Sequence, residues 1–234
     1  MGTGNYNDTT ARLYCDMSLF TANEQIGADA SKFFNMLLGY SEPYWEKLIV
    51  APLGLRTHLK ELIEREIQYA ESGIGGHIIA KMNSLLDKDI ILRLYEASCK
   101  GVKIELIIRG ICSLKPGIEG VSQNITVRSI VGQFLEHHRI IYFGNGGKPH
   151  IYLSSADWMK RNLSDRVELL FPIEDQEMIS RVKAILDIML KDNRKAYIME
   201  SDGNYRPADK RSKAINSQIE LYHEAESRAG TLVQ

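Results

Sequence analysis

The 234-residue sequence predicts an α/β fold, a mixed sheet with helices on its faces, on three observations. Apolar stretches of helical period alternate with short runs rich in β-branched residues. Two of those runs, 77–80 and 102–108, flank a helix as a β-α-β unit does, which makes them parallel neighbours. Two others, 139–143 and 151–153, are joined by Gly144-Asn145-Gly146-Gly147, a turn-rich loop that suits an antiparallel hairpin.

Taken in order, the first helix starts near Thr57. Leu59, Leu62, Ile63 and Ile67 fall at helical spacing, and Gly73 stands where a terminating glycine would. After the strand at 77–80, Asp87 is a good N-cap for a second helix that carries Ile90, Ile91, Leu94 and Ala97 on one face and is closed by Gly101. Strand-like runs follow at 102–108, 125–131, 139–143, 151–153 and 167–171. A third helix runs from about Asp175 to Lys191 on a stripe of Met178, Val182, Ile185, Leu186 and Met189. From about Arg206 the composition turns to Lys, Arg, Glu, Ser and Asn with few large apolar residues, which reads as a solvated helix or as disorder.

Bulk properties narrow the function classes without choosing one. With 44% hydrophobic and 25% charged residues the chain can bury one large or two small cores. Its 29 basic and 30 acidic residues nearly cancel, so affinity for a polyanion must come from local clustering of Lys and Arg, and nothing points to a nucleic-acid partner. Cys15, Cys99 and Cys112 are too widely spaced for a zinc site or a disulfide framework, which suits a reducing, cytoplasmic setting. No stretch has the roughly 18 apolar residues of a membrane span, so any membrane association would run through partners.

A short internal echo is more informative. Gly2-Thr3-Gly4-Asn5-Tyr6-Asn7 is followed by Ala11-Arg12-Leu13-Tyr14-Cys15-Asp16, and Ser154-Ser155-Ala156-Asp157-Trp158-Met159 is followed by Asp165-Arg166-Val167-Glu168. Each is a small-polar turn ahead of an aromatic, then an Arg, then an acid in an apolar run, the pattern a duplicated half-site gives. Ahead of the second copy stand His137-His138-Arg139, a strand and a turn, with Asn162 beyond it. The order His-x-basic, strand, small-polar turn, Asn resembles the half-motif of the phospholipase D superfamily. Longer strings resemble polyphosphate kinase: G-T-G-N-Y-N and T-A-R-L-Y within 2–14, I-A-K-M-N-S-L at 79–85, R-G-I-C-S-L at 109–114, S-I-V-G-Q-F-L-E-H at 129–137 and S-S-A-D-W-M-x-R-N at 154–162.

That resemblance implies a phospholipase D-like mixed sheet flanked by helices, with an active site between two similar C-terminal domains. By this mapping residues 1–48 end the first of those domains, 49–205 form the second, and 206–234 are a polar tail, helical or disordered. The family's phosphoryl-accepting histidine would lie upstream of Gly2. Cut from their own domain, residues 1–48 are expected to be mobile, domain-swapped or packed unlike the family.

His137 matches the family's second active-site histidine, and an imidazole suits proton transfer near neutral pH. His138, on the opposite strand face, is expected to be structural or at the surface. Arg109, at the end of an apolar strand, matches a nucleotide-contacting arginine whose planar fork of donors suits phosphate. Tyr14 matches a nucleotide-binding tyrosine. Lys81, Asn83, Arg139, Ser155 and Asn162 are second-rank candidates for groups converging on phosphate oxygens. Arg139 stands where phospholipases and nucleases of this type carry Lys, which counts against a hydrolase.

What the resemblance implies for the intact protein is reversible transfer of the γ-phosphoryl of ATP to inorganic polyphosphate. The partners would be ATP, ADP and polyphosphate, with Mg2+ bound by ligands outside this chain. A homo-oligomer is expected, and this stretch alone is expected to be inactive. The alternatives are a polyphosphate- or nucleotide-binding module without chemistry and a phospholipase D-like phosphodiester hydrolase.

Overall fold

A computed structural model describes residues 1–39, 44–211 and 213–232. Residues 40–43 of the expected first-domain remnant, and 212, 233 and 234 of the expected tail, lie outside it. In chain order the elements are α1 (Asp8–Leu13), β1 (Tyr14–Cys15), α2 (Glu24–Leu37), β2 (Ile49–Ala51), α3 (Leu55–Glu71), β3 (His77–Met82), α4 (Lys88–Cys99), β4 (Lys103–Ile108), β5 (Ile125–Ile130), β6 (Leu135–Glu136), β7 (Arg139–Phe143), β8 (His150–Ser154), β9 (Glu168–Ile173), α5 (Gln176–Lys191), β10 (Ala196–Met199), β11 (Tyr205–Pro207) and α6 (Ser217–Leu232). Among the described residues, β11-β10-β5-β4-β3-β7-β8-β9-β2 form one mixed sheet, and β1 pairs with β6 apart from it.

The β-α-β unit and the hairpin are both present. β3 and β4 pair in parallel with Ile78 opposite Ile104, and β7 and β8 pair antiparallel with Arg139 opposite Ser154. The sheet has a core on each face because side chains alternate along each strand. Ile78, Ala80 and Met82 of β3 point with Ile104, Leu106 and Ile108 of β4 into a cluster covered by α3 and α4, while Ile79, Ile107 and Ile140 face a second cluster covered by α5. The helix stripes read from the sequence are the buried faces: Leu59, Leu62, Ile63 and Ile67 on α3, and Ile90, Leu94 and Ala97 on α4. Leu59 and Ile63 are fully buried, so truncating either to Ala costs about 2–5 kcal/mol. Asp87 and Asp175 cap α4 and α5 by accepting the N–H groups of Ile90 and Met178.

Residues 1–19 contradict the expectation of a mobile or swapped segment. They fold back on themselves through Thr3 N–H to Met17 O and Leu19 N–H to Met1 O, and then dock on the second half through the β1–β6 pairing. The physical reason is that Cys15 O accepts the N–H groups of both His137 and His138, so backbone donors next to the motif histidines require this segment. The C-terminal stretch, whose composition left helix and disorder open, carries α6. Its first residue Ser217 is fully buried and donates N–H and Oγ–H to Asp192, and Leu221 packs on the α5 side of the sheet. Among the described residues no helix is long and apolar enough to cross a membrane.

Candidate active site

Strand polarity gathers the motif residues at one end of the sheet, where α/β folds place their sites. β3 runs out into Asn83 and β4 into Arg109. β7 runs antiparallel to β3, with Ile140 opposite Lys81, so it starts at that same end with Arg139. β8 finishes there at Ser154, ahead of Ser155 and Asp157.

Asp157 is the hub. Its carboxylate accepts both Nε and Nη2 of Arg139, at 3.2 and 3.0 Å, and the backbone N–H of Asn83 at 2.8 Å. Asn83 in turn offers its Oδ1 to Nε and Nη2 of Arg109, at 3.1 and 2.8 Å. The half-exposed guanidinium of Arg109 is therefore aimed by Asn83, and Asn83 by Asp157, which leaves donors of Arg109 free for an anion.

The N-terminal segment supplies the other half. Asp16 accepts from His137 Nδ1 at 2.9 Å and from Thr3 Oγ1 at 2.7 Å. A carboxylate only accepts, so Nδ1 carries the ring proton and Nε2 is left as an acceptor. Burial opposes ionisation of Asp16, but the hydrogen bonds from His137 and Thr3 outweigh it and hold the carboxyl below its ordinary range. Tyr14 lies against the imidazole with ring centroids 4.9 Å apart. Arg139 bridges the halves: its Nη1 donates to Thr3 O at 3.1 Å and sits 3.0 Å from His137 Nε2. Gly4 has no side chain because Asp16 fills the space a Cβ would occupy. A concavity of about 490 Å³ opens beside Tyr14 and Asp16, lined also by Gly4, Asn5, Tyr6 and Asn7. A larger one of about 1190 Å³, lined by Trp45, Lys47, His58 and His150, shares no residue with this network.

Tyr14, Asn83, Arg109, His137 and Arg139 are thus joined in one network. The second-rank candidates are each engaged by other protein groups. Lys81 is only 1% exposed, paired with buried Glu136 at 3.4 Å and donating to His138 O, so its ammonium is committed behind the site. Burial pulls its pKa down against the opposing pull of Glu136. Arg139 is buried and its fork is engaged by Asp157, and Asn83 is engaged by Arg109 and Asp157, so both position other groups. Ser155 and Asn162 both donate to Glu168. His138 is buried with Nδ1 donating to Cys15 O, and burial together with the charge of Lys81 holds its imidazole well below the ordinary value.

Sequence reasoning missed Asp16, Asp157 and Glu168 as site residues, and the structure shows what the echo contained. Thr3 and Asp16 are 13 residues apart and joined hydroxyl to carboxylate, as are Ser155 and Glu168. Thr3 Oγ1 accepts the N–H of Met17 at 3.0 Å and Ser155 Oγ that of Leu169 at 3.0 Å, while the N–H groups of Thr3 and Ser155 reach Met17 O and Leu169 O. The chain therefore holds two copies of one carboxylate cradle.

Comparison with known proteins agrees with this arrangement. Residues 48–218 match the family model of polyphosphate kinase C-terminal domain 2, and residues 1–43 that of polyphosphate kinase C-terminal domain 1. The chain belongs to the polyphosphate kinase family. It is 50% identical over 224 residues to a polyphosphate kinase of Parasynechococcus marenigrum, covering 94% of this chain and 32% of that protein. It is 53% identical over 225 residues to one from Halalkalibacterium halodurans, covering 95% and 32%. The crystal structure of polyphosphate kinase from Porphyromonas gingivalis superposes with a TM-score of 0.95 at 42% identity, over 99% of this chain and 36% of that one. The chain spans about a third of the length of the polyphosphate kinases it matches.

Proposed function

We propose that this chain is the C-terminal part of a polyphosphate kinase that reversibly transfers the γ-phosphoryl of ATP to inorganic polyphosphate, through a phosphohistidine outside these 234 residues. The observation that carries the reading is the doubled cradle. In one copy the acid of the first half, Asp16, orients the imidazole of the second half, His137. By the same exchange Glu168 of the second half would face a histidine of the first. Two imidazoles meeting across a pseudo-twofold axis suit a double displacement.

In the first step the nitrogen of that histidine attacks the γ-phosphorus, forming N–P and breaking the bond to the ADP oxygen. In the second, the terminal oxygen of polyphosphate attacks phosphorus and breaks N–P, restoring the free ring. His137, with Nδ1–H fixed on Asp16, would present Nε2 to the transferring group in place of Arg139 Nη1, which stands 3.0 Å from it here, and a protonated Nε2 would donate to its oxygens. A positioned acid of this kind contributes about 10²–10⁴-fold. The Arg109 fork would neutralise phosphate oxygens, and the Tyr14 ring would pack against the nucleotide.

A magnesium ion is expected with the nucleotide, held by ligands outside this chain. Among the described residues no group of three or more His, Cys, Asp or Glu could hold a metal, and the carboxylates of Asp16 and Asp157 are engaged by His137, Thr3, Arg139 and Asn83. No step is therefore routed through it.

Incubation with γ-labelled ATP and magnesium tests the reading. The intact enzyme should take up acid-labile, base-stable label and pass it to polyphosphate, while the 234-residue chain stays unlabelled. Stoichiometric label on this chain would make one of its own histidines the nucleophile and overturn the assignment. Cleavage of a generic phosphodiester without nucleotide would instead identify a hydrolase.

A further inference from the structure

The histidine-bearing strand is held from a distant part of the chain. Gln218, in the first turn of α6, treats Phe134 as a neighbouring strand would: its Nε2 donates to Phe134 O at 2.8 Å and its Oε1 accepts the Phe134 N–H at 3.2 Å. The same Nε2 donates to Glu136 Oε1 at 2.7 Å. The amide therefore grips both ends of the three-residue stretch that leads into His137, and β6 within that stretch is what β1, carrying Tyr14 and Cys15, pairs with. Glu136 is buried, and its other oxygen lies 3.4 Å from Lys81 Nζ, which donates to His138 O. One connected set of polar groups thus runs from α6 to the backbone on either side of His137.

Space is reserved for this contact. Gly132 has its Cα where a Cβ would overlap the Gln218 amide. The helix is anchored separately, by Ser217 on Asp192, so docking of α6 and its grip on β6 use different side chains. Two-residue strands such as β1 and β6 have little stability of their own, and a side-chain clamp on one of them fixes the register of the pair.

We propose that Gln218 is a positioning residue for the His137–Asp16 pair, clamping β6 so that His137 stays in hydrogen-bond reach of Asp16. The proposal rests on the catalytic reading of His137 for its effect on turnover, but not for its effect on geometry.

The test joins two readouts. In the 234-residue chain, the His137 Nδ1–H proton donated to Asp16 should give a downfield NMR resonance. Gln218→Met, which keeps bulk and removes all three hydrogen bonds, should abolish or broaden it. Gly132→Ala, which displaces the amide from the other side, should do the same. Ser217→Ala should lower Tm through the lost Asp192 contacts while leaving the resonance in place. In the intact enzyme, Gln218→Met and Gly132→Ala should each lower kcat about tenfold, since small misplacements of a catalytic group are costly.

An unchanged resonance in Gln218→Met, or an equal loss in Ser217→Ala, overturns the clamp. If both Gln218→Met and Gly132→Ala unfold the chain, Gln218 is a folding residue and the positioning role is wrong. If the resonance responds as expected but His137→Ala retains full activity, the catalytic reading fails while the clamp stands.

Discussion

The cradle at Thr3–Asp16 and the cradle at Ser155–Glu168 share their spacing, their hydroxyl-to-carboxylate bond and their backbone pairing, yet their acids hold different things. Asp16 holds the imidazole of His137, which is 121 residues away in sequence. Glu168 takes Asn162 and Ser155 from its own neighbourhood, and Arg166 approaches at 3.8 Å. The lesson is that the same cradle can hold its acid for a ring from the other half, as Asp16 does for His137, or for local donors, as Glu168 does here, and only the first of these joins the two halves. This also explains why Arg139, with one edge on Asp157 and Nη1 on Thr3 O, lies at the seam.

The largest expected effect lies within one strand. In the intact enzyme His137→Ala should reduce polyphosphate synthesis at least about 100-fold, whereas His138→Gln should cost less than about tenfold, because only His137 touches Asp16 and Tyr14. Equal losses would remove the distinction on which the first cradle rests. The next test compares the cradles directly. Asp16→Asn and Glu168→Gln keep shape but lose charge, and each should lower kcat about 10–100-fold, Asp16→Asn by leaving His137 unoriented and Glu168→Gln by doing the same to the first-half histidine proposed to face it. A silent Glu168→Gln would mean that the second cradle is only structural.

A third test sharpens the comparison at the hub they share. Arg109→Lys keeps a charge but loses the fork that Asn83 aims, so its activity should lie closer to Arg109→Ala than to wild type. Near-full activity with Lys would reduce Arg109 to a point charge.

Legibility in the sequence followed length and period. The β3-α4-β4 unit, the β7–β8 hairpin and α5 announced themselves through stripes and turn residues that match the observed caps and pairings. β1, β2, β6 and β11 are two or three residues long and exist because of their tertiary partners, so no local pattern marks them. α2 was hidden for a related reason: of its apolar residues only Ile26 is buried, while its anchor is Asp29, which accepts the N–H groups of Glu46, Lys47 and Leu48. At the site, motif resemblance pointed to His137 and Arg109, which the structure joins in one network, but it offered Lys81, Asn83, Arg139, Ser155 and Asn162 as phosphate contacts without regard to the groups that engage them. Strand alternation argues otherwise for Lys81, which shares a sheet face with Ile79. The acids Asp16 and Glu168 were written in the echo, and Asp157 in the string that contains Ser155; what the sequence could not supply was which donor each would meet across the chain.

The smallest effect comes from a second histidine–carboxylate pair that copies the geometry of the first without its role. His77 Nε2 lies 2.8 Å from Glu105 Oε2 across the β3–β4 pairing, with Lys103 on the same carboxylate at 2.9 Å. The hydrogen bond from His77 outweighs the opposing effect of burial and, with Lys103, lowers the Glu105 carboxyl from 4.5 to about 2. Its folded pKa is depressed, so the stabilisation is complete above about pH 4.5 and is lost as the pH falls towards 2. Glu105→Gln should therefore destabilise the chain by roughly 1 kcal/mol at pH 7, after allowance for solvent screening. The gap between variant and wild type should shrink by pH 3, and turnover of the intact enzyme should be unchanged, since Glu105 touches none of the network around Asp157. Urea melts at the two pH values, set beside the same melts for Asp16→Asn, separate the pairs. If Asp16→Asn also changes only stability, a histidine held by an acid is part of the scaffold at both places, and the comparison of the two cradles loses its catalytic meaning.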